Sequence, residues 1–176
     1  MTSTLPNQYP IGAFVLQPFT QQLWKEKLLD IHFFPKELEL VVQHVDYAQL
    51  HSAYRPGGWT IHTLVHHLAD SHLHAYTRCK FALLEPGKHI PAYDENAWVT
   101  TADVVQEPIN YALTLLHAVH HKWHAMLQAV TQEQIPYAFV YHEALQREAS
   151  LWELVSTYSW HGKHHYQQIV NALQTL

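Results

Sequence analysis

Apolar positions recur at intervals of three and four residues in four stretches of the chain, the spacing of one helix face. Thr20 can cap a first helix through "QQLWKEKLLDIHFF". Pro35 is expected to kink or restart it, because proline lacks an N–H and crowds the carbonyl four residues back. The pattern resumes in "KELELVVQHV". The breakers Pro56, Gly57 and Gly58, with Thr60 as N-cap, predict a second helix over about residues 61–84. A third reads from about 108 to 130, with Ile109, Leu113, Leu116, His120, Trp123, Leu127 and Val130 close to a heptad seam. Ser150 and Glu153 form the S-x-x-E pattern of a capping box and open a fourth helix that runs to about residue 174. Residues 1–18, with Pro6, Pro10 and Pro18, read as an irregular arm, and residues 85–106 as a loop. The stretch "IPYAFVYHEALQREAS" is rich in Tyr, Phe and Val and fits a short β-hairpin or an extended loop. No repeat or linker interrupts the pattern. The expectation is an all-α four-helix bundle in a single domain over residues 1–176, a fold that builds its sites from side chains on facing helices.

Composition narrows the function. Of the 176 residues, 48% are hydrophobic and 14% charged, as in ordinary globular proteins. A formal charge of -5 with scattered Lys and Arg argues against a nucleic-acid partner, which needs a basic patch. No apolar run reaches the roughly 18 residues of a membrane span. The first residues show no signal peptide, and the single cysteine, Cys79, excludes an internal disulfide and fits a reducing compartment. The expectation is a cytoplasmic protein.

Seventeen histidines are the outlying count, so helix geometry has to choose among them. On the fourth helix Leu151, Leu154, Val155, Tyr158, Ile169 and Leu173 define an apolar arc. His165 lies inside it, His161 at its edge, and His164 points away. The pair 161/165 is spaced i,i+4, which sets the two Cβ atoms ~6 Å apart and lets both imidazoles reach one ion. Gly162 leaves the backbone uncrowded between them. A catalytic zinc usually takes three protein ligands and keeps one open position, so a third ligand must come from another helix. On the second helix His66 and His67 flank the core arc on opposite sides and His72 lies within it, and periodicity does not choose among them. On the third helix His120 alone lies on the seam, as a partner behind the ligands or a pocket wall, while His117, His121 and His124 face water. For each inward histidine the plainer reading is a core residue hydrogen-bonded to a carbonyl or a tyrosine.

Several blocks together resemble the YfiT-type branch of the DinB superfamily: "YPIGAF", "YRPGGWTIHTLVHHLADSHLHAYTRCKFAL", "IPAYDENAW", "LLHAVHHKW" and "YSWHGKHH", in that order and with similar spacing. The resemblance covers nearly the whole chain. It implies a four-helix bundle that binds one divalent ion, usually zinc and sometimes nickel, through three histidines. By resemblance these are His67, His161 and His165. It also implies a metal-dependent hydrolase, a cytoplasmic homodimer, and a kinship with enzymes that transfer bacillithiol-type thiols to electrophiles. Residues 138–149 depart from the family pattern, which touches substrate preference if they border the site.

An ion held by three neutral imidazoles can lower the pKa of water toward ~7 or stabilise a thiolate. The ligand set alone does not separate hydrolysis of a small-molecule substrate from transfer of a low-molecular-weight thiol. A non-catalytic stress-response module, its ion closed off by His72 or His120, is the alternative of another class. Candidates for acid–base work are Asp70, Glu95 and Tyr93; the alternatives are that Asp70 orients a histidine or faces solvent and that Glu95 and Tyr93 anchor their loop. Arg55 either holds a substrate carboxylate or closes the turn before its helix. Trp59, Trp98 and Trp160 recur beside the motifs and are read as core, with a pocket wall as the alternative.

Overall fold

The four apolar stretches fold as long helices, and three of them start where a side-chain oxygen takes up a free N–H of the first turn. The computed structural model describes residues 7–175. In chain order the elements are α1 (Gln21–Val42), α2 (Tyr47–Leu50), α3 (Ile61–Leu84), β1 (Lys88–Ile90), α4 (Glu95–Trp98), α5 (Ala102–Val105), α6 (Ile109–Gln128), a 3-10 turn (Ile135–Tyr137), β2 (Phe139–His142), β3 (Arg147–Ser150) and α7 (Leu151–Gln174). Thr20 Oγ1 accepts from the N–H of Leu23, Thr60 Oγ1 from Thr63, and Ser150 Oγ from Glu153, each at 3.1 Å. The capping box expected at Ser150 is made by half. Glu153 turns its carboxylate to Arg147 instead, at 2.6 and 2.9 Å. The reciprocal box sits at α2, between Asp46 and Gln49.

Pro35 does not end the first helix: α1 runs through it. A proline inside a helix strands the carbonyl four residues earlier, here that of Ile31. That carbonyl accepts a hydrogen bond from His120 Nδ1 at 2.5 Å, so the helix loses a bond without leaving a buried oxygen unpaired.

Between α6 and α7 the chain forms a hairpin, β2 with β3, in which Phe139 faces Ser150 and His142 faces Arg147. Gln146 turns the corner at φ 53°. β1 adds to β2 in parallel, giving the order β1-β2-β3. β1, α4 and α5 lie in the stretch expected to be a loop. Elements of three or four residues carry too little periodicity to be read from sequence.

The interior falls into two apolar clusters. One gathers Trp24, Trp123, Leu151 and Trp152 with Ile90 and Val140 of the sheet. The other gathers Phe34, Leu38, Leu64, Leu68, Leu116 and Ile169. Along each helix the inward histidines fall where one cluster gives way to the other: His72 between Leu68 and Ala75, His120 between Leu116 and Trp123, His161 and His165 between Tyr158 and Ile169. The bundle thus carries a layer of imidazoles across its middle. Trp59 is half-buried and packs against the second cluster, Trp160 is half-buried under the arm against Phe14, and Trp98 is exposed.

Candidate metal centre

α3 contributes His67 and α7 contributes His161 and His165, one turn apart on the face that α7 turns to α3. One ring nitrogen from each of the three lies within 4.8 Å of the other two. The Nε2 atoms of His67 and His161 are 3.2 Å apart. Two nitrogens bound at about 2.0–2.1 Å to one tetrahedral ion stand ~3.3 Å apart, so this spacing fits ligands of a common cation.

Protonation is set from behind the cluster. The Ile31 carbonyl can only accept, so neutral His120 donates from Nδ1 and leaves Nε2 as an acceptor. His72 Nδ1 lies 2.7 Å from that Nε2 and must be the donor, which leaves His72 Nε2 as an acceptor in turn. His161 Nδ1, 3.1 Å away, donates to it. The lone pair of His161 therefore sits on Nε2, the atom that faces His67. His72 and His120 are 1% and 2% exposed, so no bulk water competes along this chain.

His165 is fixed by a second route. Its Nδ1 lies 2.7 Å from Gln168 Oε1. The Gln168 amide cannot be reversed, because its Nε2 donates to the carbonyls of Asn7 and Gln8 at 3.2 and 3.0 Å. The arm expected to be irregular is thus pinned at residues 7 and 8. His165 donates from Nδ1 and presents an Nε2 lone pair. The same Gln168 Nε2 lies 3.1 Å from His164 Nε2. His164, which the helical wheel turns away from the cluster, is buried under the arm between Tyr9 and Trp160.

Burial keeps all three rings neutral. Desolvation pulls His67 down to about 4 and His165 down to about 3, and it holds His161 well below the ordinary histidine range. Three neutral imidazoles with two enforced tautomers form a donor set suited to a borderline divalent ion. Gly162 is more than uncrowded backbone. A Cβ there would stand 3.0 Å from Phe34 and 3.4 Å from His72, so its absence lets α7 close on α1 and on the imidazole chain.

The histidines line one side of a cavity of about 380 Å³. Tyr93 and Glu95 also line it, on the segment around α4. Asp70 does not: it sits half-buried, its carboxyl raised to about 6 by burial and by Asp103 of α5. Arg55 is away from the cavity and closes its turn, donating to Tyr54 Oη at 3.0 Å and to the Pro56 carbonyl at 3.2 Å. Trp59 lines the cavity and packs on His67, with ring centres 4.8 Å apart. His66 is turned to the Glu107 carbonyl at 3.1 Å, and His62 joins it there at 3.0 Å. Of the third-helix histidines, His117 and His121 are exposed, and His124 is half-buried against His32. Three polar cavity residues were not singled out in the sequence: Ser71, Arg78 and His142. His67, Ser71 and Arg78 fall at i, i+4 and i+11 of α3, one helix face, and that spacing is the pattern that finds Ser71 and Arg78 but not His142 of β2.

Comparison with known proteins places these features in a family. The model of the DinB superfamily matches residues 31–169. A Bacillus pumilus protein named "Putative metal-dependent hydrolase" is 37% identical over 171 residues, covering 95% of each chain. A Geobacillus kaustophilus protein of the same description is 36% identical over 172 residues, covering 97% of this chain and 96% of the other. Among solved structures, YfiT from Bacillus subtilis, described as "a probable metal-dependent hydrolase with an unusual four-helix bundle topology", superposes with a TM-score of 0.92 at 31% identity, covering 96% of this chain and 97% of that one.

Proposed function

This chain belongs to the DinB superfamily, and from that premise we propose that it is a metal-dependent hydrolase of a small-molecule substrate, with one divalent ion held by Nε2 of His67, His161 and His165. The observation that carries this reading is the meeting of three ligand nitrogens within 4.8 Å at the wall of a cavity. Zinc fits the imidazole set best, and nickel is the second choice. When bound, such an ion supplies a Lewis acid that makes water nucleophilic near neutral pH.

The chain's own residues do the rest. The carbonyl-anchored imidazoles and Gln168 hold the ligand lone pairs in place. Trp59 covers one face of His67. Tyr93 keeps its hydroxyl proton, because burial raises its pKa. Tyr93 and Glu95 border the cavity and Asp70 does not, so proton transfer to and from substrate is assigned to the first two.

A zinc-loaded sample tests the reading with a simple ester, 4-nitrophenyl acetate. Cleavage that depends on zinc and is lost in His161→Ala supports it. No cleavage, with zinc-dependent conjugation of a low-molecular-weight thiol to monobromobimane, would replace hydrolysis by thiol transfer.

A further inference from the structure

Among the buried groups of the cavity wall, one carries a full charge with no ion-pair partner. Arg78 is 7% exposed and lines the cavity. Its guanidinium donates to Tyr158 Oη at 2.6 Å and to the Pro91 carbonyl at 3.5 Å, and lies 5.8 Å from the centre of the Tyr93 ring. Both hydrogen-bond partners are neutral. Among the described residues no Asp or Glu oxygen comes within ion-pair distance of it; of the other cations, Lys27, Lys36, Lys88, Arg147 and Lys163 have such a partner, and the unpaired Lys25, Lys80 and Lys122 are exposed and Arg55 half-buried. A buried cation is normally paired, because desolvation is costly. Arginine has five N–H donors in a planar fork that matches a carboxylate, and two of them are engaged here.

A second group faces the same space from the sheet. His142 of β2 lines the cavity, and its Nδ1 is buried without a hydrogen-bond partner among the described residues. Burial and the nearby Arg78 charge keep its ring neutral, so it can give or take one hydrogen bond. Helix geometry sets the distance to the histidines. Arg78 lies about three turns along α3 from His67, ~16 Å between Cα atoms, and helix side chains lean back toward the N-terminus. The guanidinium therefore reaches toward the histidines and shortens that gap. The volume suits a small organic molecule.

We infer that the cavity takes a small organic acid, its carboxylate bound by Arg78 with His142 beside it and its reacting group at the three histidines. This rests on the metal-hydrolase reading for the second half of the statement; the carboxylate site itself does not.

The probes are benzoate and its neutral isostere benzamide, titrated calorimetrically into the zinc-loaded protein, with inorganic phosphate as a third ligand. The expected result is benzoate binding roughly tenfold or more tighter than benzamide or phosphate, with the preference for benzoate over benzamide abolished in Arg78→Gln. Benzoate binding that survives Arg78→Gln would assign the carboxylate to the ion and overturn the inference. So would equal binding of benzoate and benzamide, or tighter binding of phosphate. If Arg78→Gln does not fold, the wild-type Arg78 Nε–H resonance decides: it must shift on adding benzoate and saturate with the calorimetric curve, and a resonance that does not move rejects the site. Ester cleavage is scored separately, so its absence removes the hydrolase reading while the benzoate result still stands or falls alone.

Discussion

His120 donates from Nδ1 to the carbonyl of Ile31, 2.5 Å away, and that carbonyl is free because Pro35 sits four residues further along α1. A residue that looks like a helix breaker thus fixes one end of a hydrogen-bond chain whose other end is the His161 lone pair. Breaking the chain should weaken metal binding as well as the fold. His72→Phe keeps a ring of similar size but lets His161 adopt either tautomer. We expect zinc affinity to fall about 10- to 100-fold, measured by competition with a chromophoric chelator, and the melting temperature of the metal-free protein to fall as well, because His120 Nε2 and His161 Nδ1 lose their partner. An unchanged affinity would mean that the chain does not tune His161.

Gly162→Ala tests the close approach of α7. The added methyl would meet Phe34 at 3.0 Å and His72 at 3.4 Å, so one of them has to give way. Overpacking of this kind costs roughly 1–3 kcal/mol. The variant should unfold at lower urea concentration and bind zinc more weakly, because the displaced rings belong to the imidazole layer or border it. Wild-type values in both assays would place the helices further apart than described.

The neutral histidines make the metal-free protein sensitive to acid. The ordinary histidine value is 6.5, whereas the folded protein holds His67 at about 4 and His165 at about 3. As pH falls, the unfolded chain takes up protons first, so these groups stabilise the fold fully above about 6.5 and lose that contribution as pH drops toward 4 and below. His67 alone accounts for on the order of 3 kcal/mol. Urea midpoints of the metal-free protein should be clearly lower at pH 5 than at pH 7.5. Equal midpoints would show that the rings are not kept neutral.

Asp70 should behave in the opposite sense. Burial first, and Asp103 second, raise its carboxyl from 3.8 to about 6. The fold then holds that proton more tightly than the unfolded chain, and stability drops as pH rises through this interval. Asp70→Asn removes the penalty. After discounting for solvent screening of a half-exposed group, we expect a gain of about 1 kcal/mol at pH 8 and none near pH 3.5. Zinc affinity should not change, and a large loss would return Asp70 to the metal site.

The four long helices and three of their caps were legible because periodicity and Thr or Ser N-caps are local signals. His161 and His165 were legible as an inward pair for the same reason, since both sit on one apolar arc. What joins them to Ile31 was not. The links run α7 to α3 to α6 to α1, and each depends on tertiary distances that no single helix encodes. Pro35 stood out, but only the bundle shows where its freed carbonyl points. Arg78 was hidden for another reason: an arginine near a helix end reads as surface, and its burial comes from the sheet packed over α3. The short elements β1, α4 and α5, which bring Tyr93 and Glu95 to the cavity, carry too few residues to show a period.

Anomalous X-ray diffraction at the zinc absorption edge, from crystals grown with one equivalent of zinc, addresses the metal centre most directly. A single strong peak per chain is expected, at about 2.0–2.1 Å from Nε2 of His67, His161 and His165, with no fourth protein atom in contact. A peak elsewhere, or zinc bound with His72 or His120 in place of one of these three, would contradict this assignment.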